Sequence, residues 1–181
     1  IKEEVTIELD KEELLIPYMS AIDSEEAIAK MINNETKYFG LFATMRFGKS
    51  WCFFEKIKRE YVEKNKVGIH VVFCHDTKVF SGWKTKWKNS YKDCMDFVEL
   101  KSNKDFDFNK TPKRNTLVVL SPQLITASTE KNEFTNFEEK LNALKKSYDI
   151  KCNELFVDEA HNYFTPQWEK YYESICDGQI T

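Results

Sequence analysis

The sequence has 181 residues, 41% of them apolar and 31% charged, and a formal net charge of −3. That balance suits one globular domain with a sizeable core and gives no overall attraction to nucleic acid, so any such binding has to come from a local patch. No run of eighteen apolar residues occurs, which excludes a helical membrane span, and Ile1-Lys2-Glu3-Glu4 is not a signal peptide; the absent Met points to a trimmed chain. Five cysteines form an odd set without a CxxC pair, a pattern expected of a reducing cytoplasmic compartment and not of a disulfide scaffold.

In chain order, Asp23-Ser24-Glu25-Glu26 starts a helix with Ile28, Met31 and Ile32 on one face. A strand is expected over Tyr38–Phe42, then a helix over residues 49–64 that buries Phe53, Phe54, Ile57 and Tyr61. Further strands are read at Val67–Cys74, Thr116–Leu120 and Glu154–Val157, with a weaker one at Phe97–Leu100. These runs are nearly continuous in β-branched and aromatic residues, as in a parallel sheet covered on both faces. Residues 102–115 are polar and loop-like, and Thr135-Asn136-Phe137-Glu138 forms a capping box ahead of Leu141, Leu144 and Tyr148. After Pro166, Trp168, Tyr171 and Tyr172 read as a packing helix. Strand and helix alternate, so the expected class is α/β with a mainly parallel sheet and helices on both faces.

Two stretches carry chemistry. Between the first strand and the helix at 49 runs Ala43-Thr44-Met45-Arg46-Phe47-Gly48-Lys49-Ser50. A phosphate loop needs free backbone N–H groups at a helix start, a Lys for the β/γ phosphates and a hydroxyl for Mg²⁺. Ala43 replaces the leading Gly of the strict pattern, and the spacing alone leaves open an ordinary strand-to-helix turn capped by Ser50. The second stretch, Leu155-Phe156-Val157-Asp158-Glu159-Ala160-His161, ends an apolar strand on two adjacent acids, where parallel sheets bind ligands. Asp158 could hold Mg²⁺ and Glu159 could polarise an attacking water, whereas the plain alternative is a solvated turn.

Taken together, the two stretches resemble motifs I and II of superfamily 2 helicases and translocases. Asp158-Glu159-Ala160-His161 is similar to their DEAH box, and Ala43–Ser50 to a motif I in which Ala is common at the first position. Arg46 and the bulky Phe47 depart from the usual small residues, in a form that resembles restriction-type and phage helicases. Weaker likenesses follow in order at "FCHDTK" (73–78) and "VVLSPQLI" (118–125). The resemblance covers roughly residues 15–165 and implies a RecA-like P-loop fold: residues 1–35 as lead-in, 36–181 as the first RecA-like, ATP-binding domain.

It implies ATP and Mg²⁺ as cofactors, with Ala43 to Ser50 around the nucleotide, Ser50 and Asp158 at the metal, and Lys49, Glu159 and His161 as catalytic residues. Thr77, Lys78, Ser121 and Gln123 would contact the backbone of DNA, with RNA also open. The resemblance further implies a second RecA-like domain that carries an arginine finger and lies outside this chain, no membrane association, and weak hydrolysis by the chain alone. No adenine-reading Gln stands in "LLIPYMSAI" (14–22). Rival readings are a terminase-type packaging ATPase, against which the His after D-E-A speaks, and a non-catalytic interaction module with a decayed site.

Two other features need a reading. Trp83, Trp87 and Tyr91 recur at four-residue spacing among Lys84, Lys86, Lys88 and Lys92. The aromatics are expected to face the core, and the lysines are candidates for nucleic-acid backbone contact. His70, inside an apolar strand, reads as a satisfied core residue. His75 beside Cys74 lacks a second pair for zinc.

Overall fold

The computed structural model describes residues 23–43, 47–74, 76–100, 106–121, 150–162 and 165–181. The capping box at 135, the helix after it, and Gln123 lie outside them. Helix α1 (residues 23–32) precedes α2 (Lys49–Ile57), whose last turns widen into a π-helix at Lys58–Val62. Strand β1 (Ile69–Phe73) leads through a 3-10 turn (Thr77–Val79) into α3 (Phe80–Ser90). Then come β2 (Asp96–Leu100), β3 (Thr116–Leu120), β4 (Glu154–Val157), a 3-10 turn at Ala160–Asn162, and α4 (Pro166–Ile175).

The four strands form one parallel sheet in the order β2-β3-β1-β4. Every residue of β1, β3 and β4 is buried, because the two-residue period sends alternate side chains to opposite covered faces. Val71, Phe73, Val118, Leu155 and Val157 meet Trp168, Tyr172 and Ile175 of α4. Val72, Leu117, Val119 and Phe156 meet Ile28 and Met31 of α1, Phe53, Phe54 and Ile57 of α2, and Trp83 of α3. Each of these aromatic side chains contributes on the order of 2–3 kcal/mol through burial. The stripe on α3 faces inward as expected: Trp83 and Tyr91 are buried, and Trp87 Nε1–H donates to the Met95 carbonyl at 2.8 Å.

Tyr38–Phe42 is not the buried strand expected from its composition. Only Tyr38 forms a bridge, and Phe42 is fully exposed. Its ladder runs against Gln179–Thr181: Phe39 N–H donates to the Ile180 carbonyl and Ile180 N–H to the Lys37 carbonyl, both at 2.8 Å. Among the described residues the ladder goes no further than Phe39, so apolar content without a pairing partner does not make residues 40–42 a strand. Gln179–Thr181 in turn pairs with β4, through Leu155 N–H to the Gln179 carbonyl (3.0 Å) and Val157 N–H to the Thr181 carbonyl (2.7 Å). One extended segment therefore stands between β4 and the lead-in to residues 43–50.

The helix at 49–64 also differs from a regular α-helix. The widened turn, with Lys66 N–H reaching the Tyr61 carbonyl at 2.7 Å, carries Tyr61 over His70, ring centroids 4.4 Å apart, and sets its hydroxyl 3.1 Å from Glu154 Oε1. His70 is only half satisfied. Its Nε2 shares the Asn115 Oδ1 at 2.9 Å, while Nδ1 is buried with no hydrogen-bond partner.

Burial pulls the His70 pKa down to about 4, so the folded protein keeps it neutral where the unfolded chain takes a proton. Between the ordinary pKa near 6.5 and about 4 the unfolded state binds the extra proton, and stability is lost as pH falls through that window. The loss reaches about 2 kcal/mol by pH 5. Urea unfolding at pH 7 and pH 5 should show it, and His70→Gln should flatten the difference; an unchanged difference would discount His70. Glu154, which burial shifts upward, acts with the opposite sign in both proteins.

Candidate nucleotide site

The site is built where residues 47–50 meet the C-terminal end of β4. Gly48 adopts φ 92°, ψ 29° at the cap of α2, a left-handed conformation that favours glycine. No side chain caps α2 and no acid lies in its first turn, so its leading N–H groups and positive dipole end stay available to an anion. Ser24 of α1 braces the turn from behind, its hydroxyl donating to the Phe47 carbonyl at 3.0 Å. Phe47 packs against the α1–α2–α3 core cluster, so its bulk is taken up by the protein interior. Thr44, Met45 and Arg46 lie outside the described residues.

Lys49 Nζ stands 3.8 Å from Glu159 Oε1, across the end of the sheet. Glu159 holds φ 54°, a left-handed backbone uncommon for a non-glycine residue, with its N–H donating to Asp158 Oδ1 at 3.1 Å. Asp158 N–H still bonds the Phe73 carbonyl at 3.0 Å, so the acid sits at the last rung of the β4–β1 ladder. Burial raises the Asp158 pKa; Lys49 pulls it down and Glu159 pushes it up. His161 Nδ1 lies 3.5 Å from Glu159 Oε2, on an exposed side chain.

Ala43, Lys49, Asp158, Glu159 and His161 line one cavity of about 680 Å³, within the range of small-molecule sites. Ser50 Oγ accepts a hydrogen bond from Lys86 Nζ of α3 at 2.8 Å. An ammonium therefore already sits on the hydroxyl that the motif offers to a metal. Burial lowers the Lys86 pKa. The oxygen donors of Ser50, Asp158 and Glu159 are the hard ligands that a divalent ion takes, and Lys49 beside them suits a phosphate chain.

The structure thus gathers Ala43, Phe47, Gly48, Lys49, Ser50, Asp158, Glu159 and His161 in one region. Thr77 and Lys78 are exposed in the turn beyond β1, where Asp76 Oδ1 accepts from the Lys78 N–H at 2.8 Å. Ser121, just beyond β3, is buried. Sequence reading missed two contributors. In sequence Ser24 reads only as part of a helix start and Lys86 as one of four candidates for nucleic-acid backbone contact, although its position between Trp83 and Trp87 puts it beside the buried stripe.

Among the described residues, no helix is long and apolar enough to cross a membrane. A nuclease-deletion mutant of the type ISP restriction-modification enzyme LlaGI, solved in complex with a DNA substrate mimic, shares the fold at a TM-score of 0.57 and 13% identity. The match covers 90% of this chain and 17% of that one, so the chain spans about a sixth of that enzyme's length. No curated protein matches significantly. The family described as type III restriction enzyme, res subunit (ResIII), matches residues 19–178, nearly the whole of the described sheet and both motifs. With a parallel α/β sheet that places Gly48-Lys49-Ser50 against Asp158-Glu159, the chain belongs to the ResIII family of restriction-type, superfamily 2 helicase-like ATPase domains.

Proposed function

We propose that this chain is the ATP-binding half of a DNA-dependent motor of restriction type, in which hydrolysis drives translocation or strand separation. The observation that carries this reading is Lys49 facing Glu159 at 3.8 Å between a left-handed Gly48 and a left-handed Glu159. In this reading residues 43–50 wrap the phosphates and Lys49 neutralises the β/γ charge. Ser50 and Asp158 would hold Mg²⁺, and Glu159 would orient the attacking water. Mg²⁺, when bound, would supply neutralisation of the phosphate charge.

His161, beside Glu159, links the hydrolytic carboxylate to the surface where DNA would lie. Thr77 and Lys78, exposed in the turn beyond β1, would contact the DNA backbone, as would Gln123. DNA as partner draws support from the LlaGI complex, whose chain shares this fold. The arginine finger would come from a second RecA-like domain of a longer protein, and its contribution is on the order of a thousandfold in rate.

Calorimetric titration of Mg-ATP and Mg-ADP into the chain and into Lys49→Ala tests the reading. The wild type should bind, and Lys49→Ala should bind about a hundredfold more weakly, the equivalent of a lost charge-assisted contact worth roughly 2–3 kcal/mol. Equal binding by the two proteins, or none by a folded wild type, would refute the phosphate-loop reading and favour a non-catalytic interaction module.

A further inference from the structure

The four lysines of the α3 region do not behave alike. Lys84 pairs with Glu99 at 3.6 Å, and Lys88 and Lys92 are exposed. Lys86 turns inward, is half-buried, and gives its ammonium to Ser50 Oγ at 2.8 Å. Among the described residues it has no carboxylate within ion-pairing distance. A partly desolvated cation without an anion is costly unless an anion arrives, and the phosphate chain of a nucleotide would arrive at this place.

We infer that Lys86 is a built-in counter-cation of the phosphate loop, occupying the metal position at Ser50 and antagonising Mg²⁺ there. The inference rests on the nucleotide-site reading above. A serine hydroxyl has two lone pairs. Lys86 uses one, and a metal on the other would crowd two cations on one oxygen. The ammonium must withdraw, or the metal binds weakly. When no metal is present, Lys86 neutralises the phosphates in its place. Mg²⁺ should therefore add little to nucleotide affinity in this protein. Metal arrival would displace Lys86, making the seating of α3 on α2 depend on the state of the nucleotide. Lys86 acts here as a positioning and charge-balancing residue.

The test is calorimetric titration of ADP into the 181-residue chain, with saturating Mg²⁺ and with chelator, for the wild type, Lys86→Met and Lys86→Gln. The expected result is a small effect of Mg²⁺ in the wild type. In both variants metal-free binding should weaken, and the ratio of affinities with and without Mg²⁺ should rise about tenfold, the size of a typical site-to-site coupling. In a Ser50→Ala background the Lys86 substitutions should still weaken metal-free binding but should no longer change binding with Mg²⁺.

Thermal unfolding without ligand accompanies each titration. Lys86→Gln keeps a donor for Ser50 Oγ and decides the matter should Lys86→Met disturb packing. Variants that bind ADP with an unchanged ratio would overturn the assignment and leave the nucleotide site standing. Collapse of both variants would overturn it in favour of a purely structural lysine. A wild type that binds no ADP under either condition would overturn both this inference and the site reading.

Discussion

Replacing Lys56 with Ala should destabilise the fold by about 3–5 kcal/mol, the usual cost of leaving a buried charge without its partner. Lys56 looks like an ordinary helix-surface lysine in sequence, yet its side chain is 2% exposed. Its ammonium lies 2.8 Å from Glu154 Oε2 and 2.5 Å from Glu60 Oε2, under the N-terminal end of β4. Glu154 is itself buried, and burial already lifts its pKa, with Lys56 the main influence holding it down. Once Lys56 is gone, only the Tyr61 hydroxyl at 3.1 Å remains on that carboxyl group.

At a typical slope of 2–4 °C per kcal/mol for a chain of this size, the midpoint should fall by roughly 6–20 °C. The sign with pH follows. Glu154 in Lys56→Ala has a folded pKa raised further above its unfolded value, so the variant's deficit grows as pH rises through that range and shrinks toward pH 5. Lys56→Met with Glu154→Gln should recover most of the loss, because no buried charge is then left unpaired and Glu60, the other partner, reaches solvent. Thermal and urea unfolding of the single and double variants would measure this. A deficit below about 1 kcal/mol in Lys56→Ala would show that water reaches Glu154.

The second large effect is expected at Gly178. A Cβ built there would stand 2.0 Å from the Asn153 carbonyl oxygen, a backbone atom that cannot turn aside. The conflict is steric, since the chain at 177–179 is pinned to the entry of β4 on both sides. Asp177 N–H donates to the Cys152 carbonyl at 2.9 Å, and Leu155 N–H to the Gln179 carbonyl at 3.0 Å. Relief requires the segment to lift and break one or both bonds, a cost of about 3 kcal/mol, at the upper end for overpacking.

The displaced segment would be Gln179–Thr181, which holds residues 37–39 at a set distance from Asp158. Gly178→Ala should therefore lose thermal stability and nucleotide affinity together. Lys49→Ala, half-exposed and bound only across the site, should lose affinity alone. Calorimetry combined with thermal unfolding separates the two patterns. Wild-type stability in Gly178→Ala would mean that the segment shifts without loss, and that its seat on β4 does not set the site.

Much of the architecture is local and could be read directly. The runs at Ile69–Phe73, Thr116–Leu120 and Glu154–Val157 are continuously apolar because both faces of each strand are covered, and that demand is written into every residue. Gly48-Lys49-Ser50 and Asp158-Glu159 were legible for a similar reason: each depends on the end of one element, and the residue types that suit such ends are few. The α1 face of Ile28 and Met31 and the inward stripe of Trp83 and Tyr91 also follow from helical period alone.

Other features depend on which distant segments meet. Tyr38–Phe42 has strand composition, but pairing needs a neighbour, and the ladder with Gln179–Thr181 reaches only Phe39. Lys56 and Glu154 are ordinary charged residues 98 positions apart until the packing of α2 over β4 buries them together. Glu159 carries no sign of its left-handed backbone, and Lys86 carries none of its hold on Ser50. Periodicity reports which face of an element is buried, whereas partners, register and charge pairing arise between elements. The sequence therefore showed the two ends of the site, and the tertiary structure decided which cation stands between them.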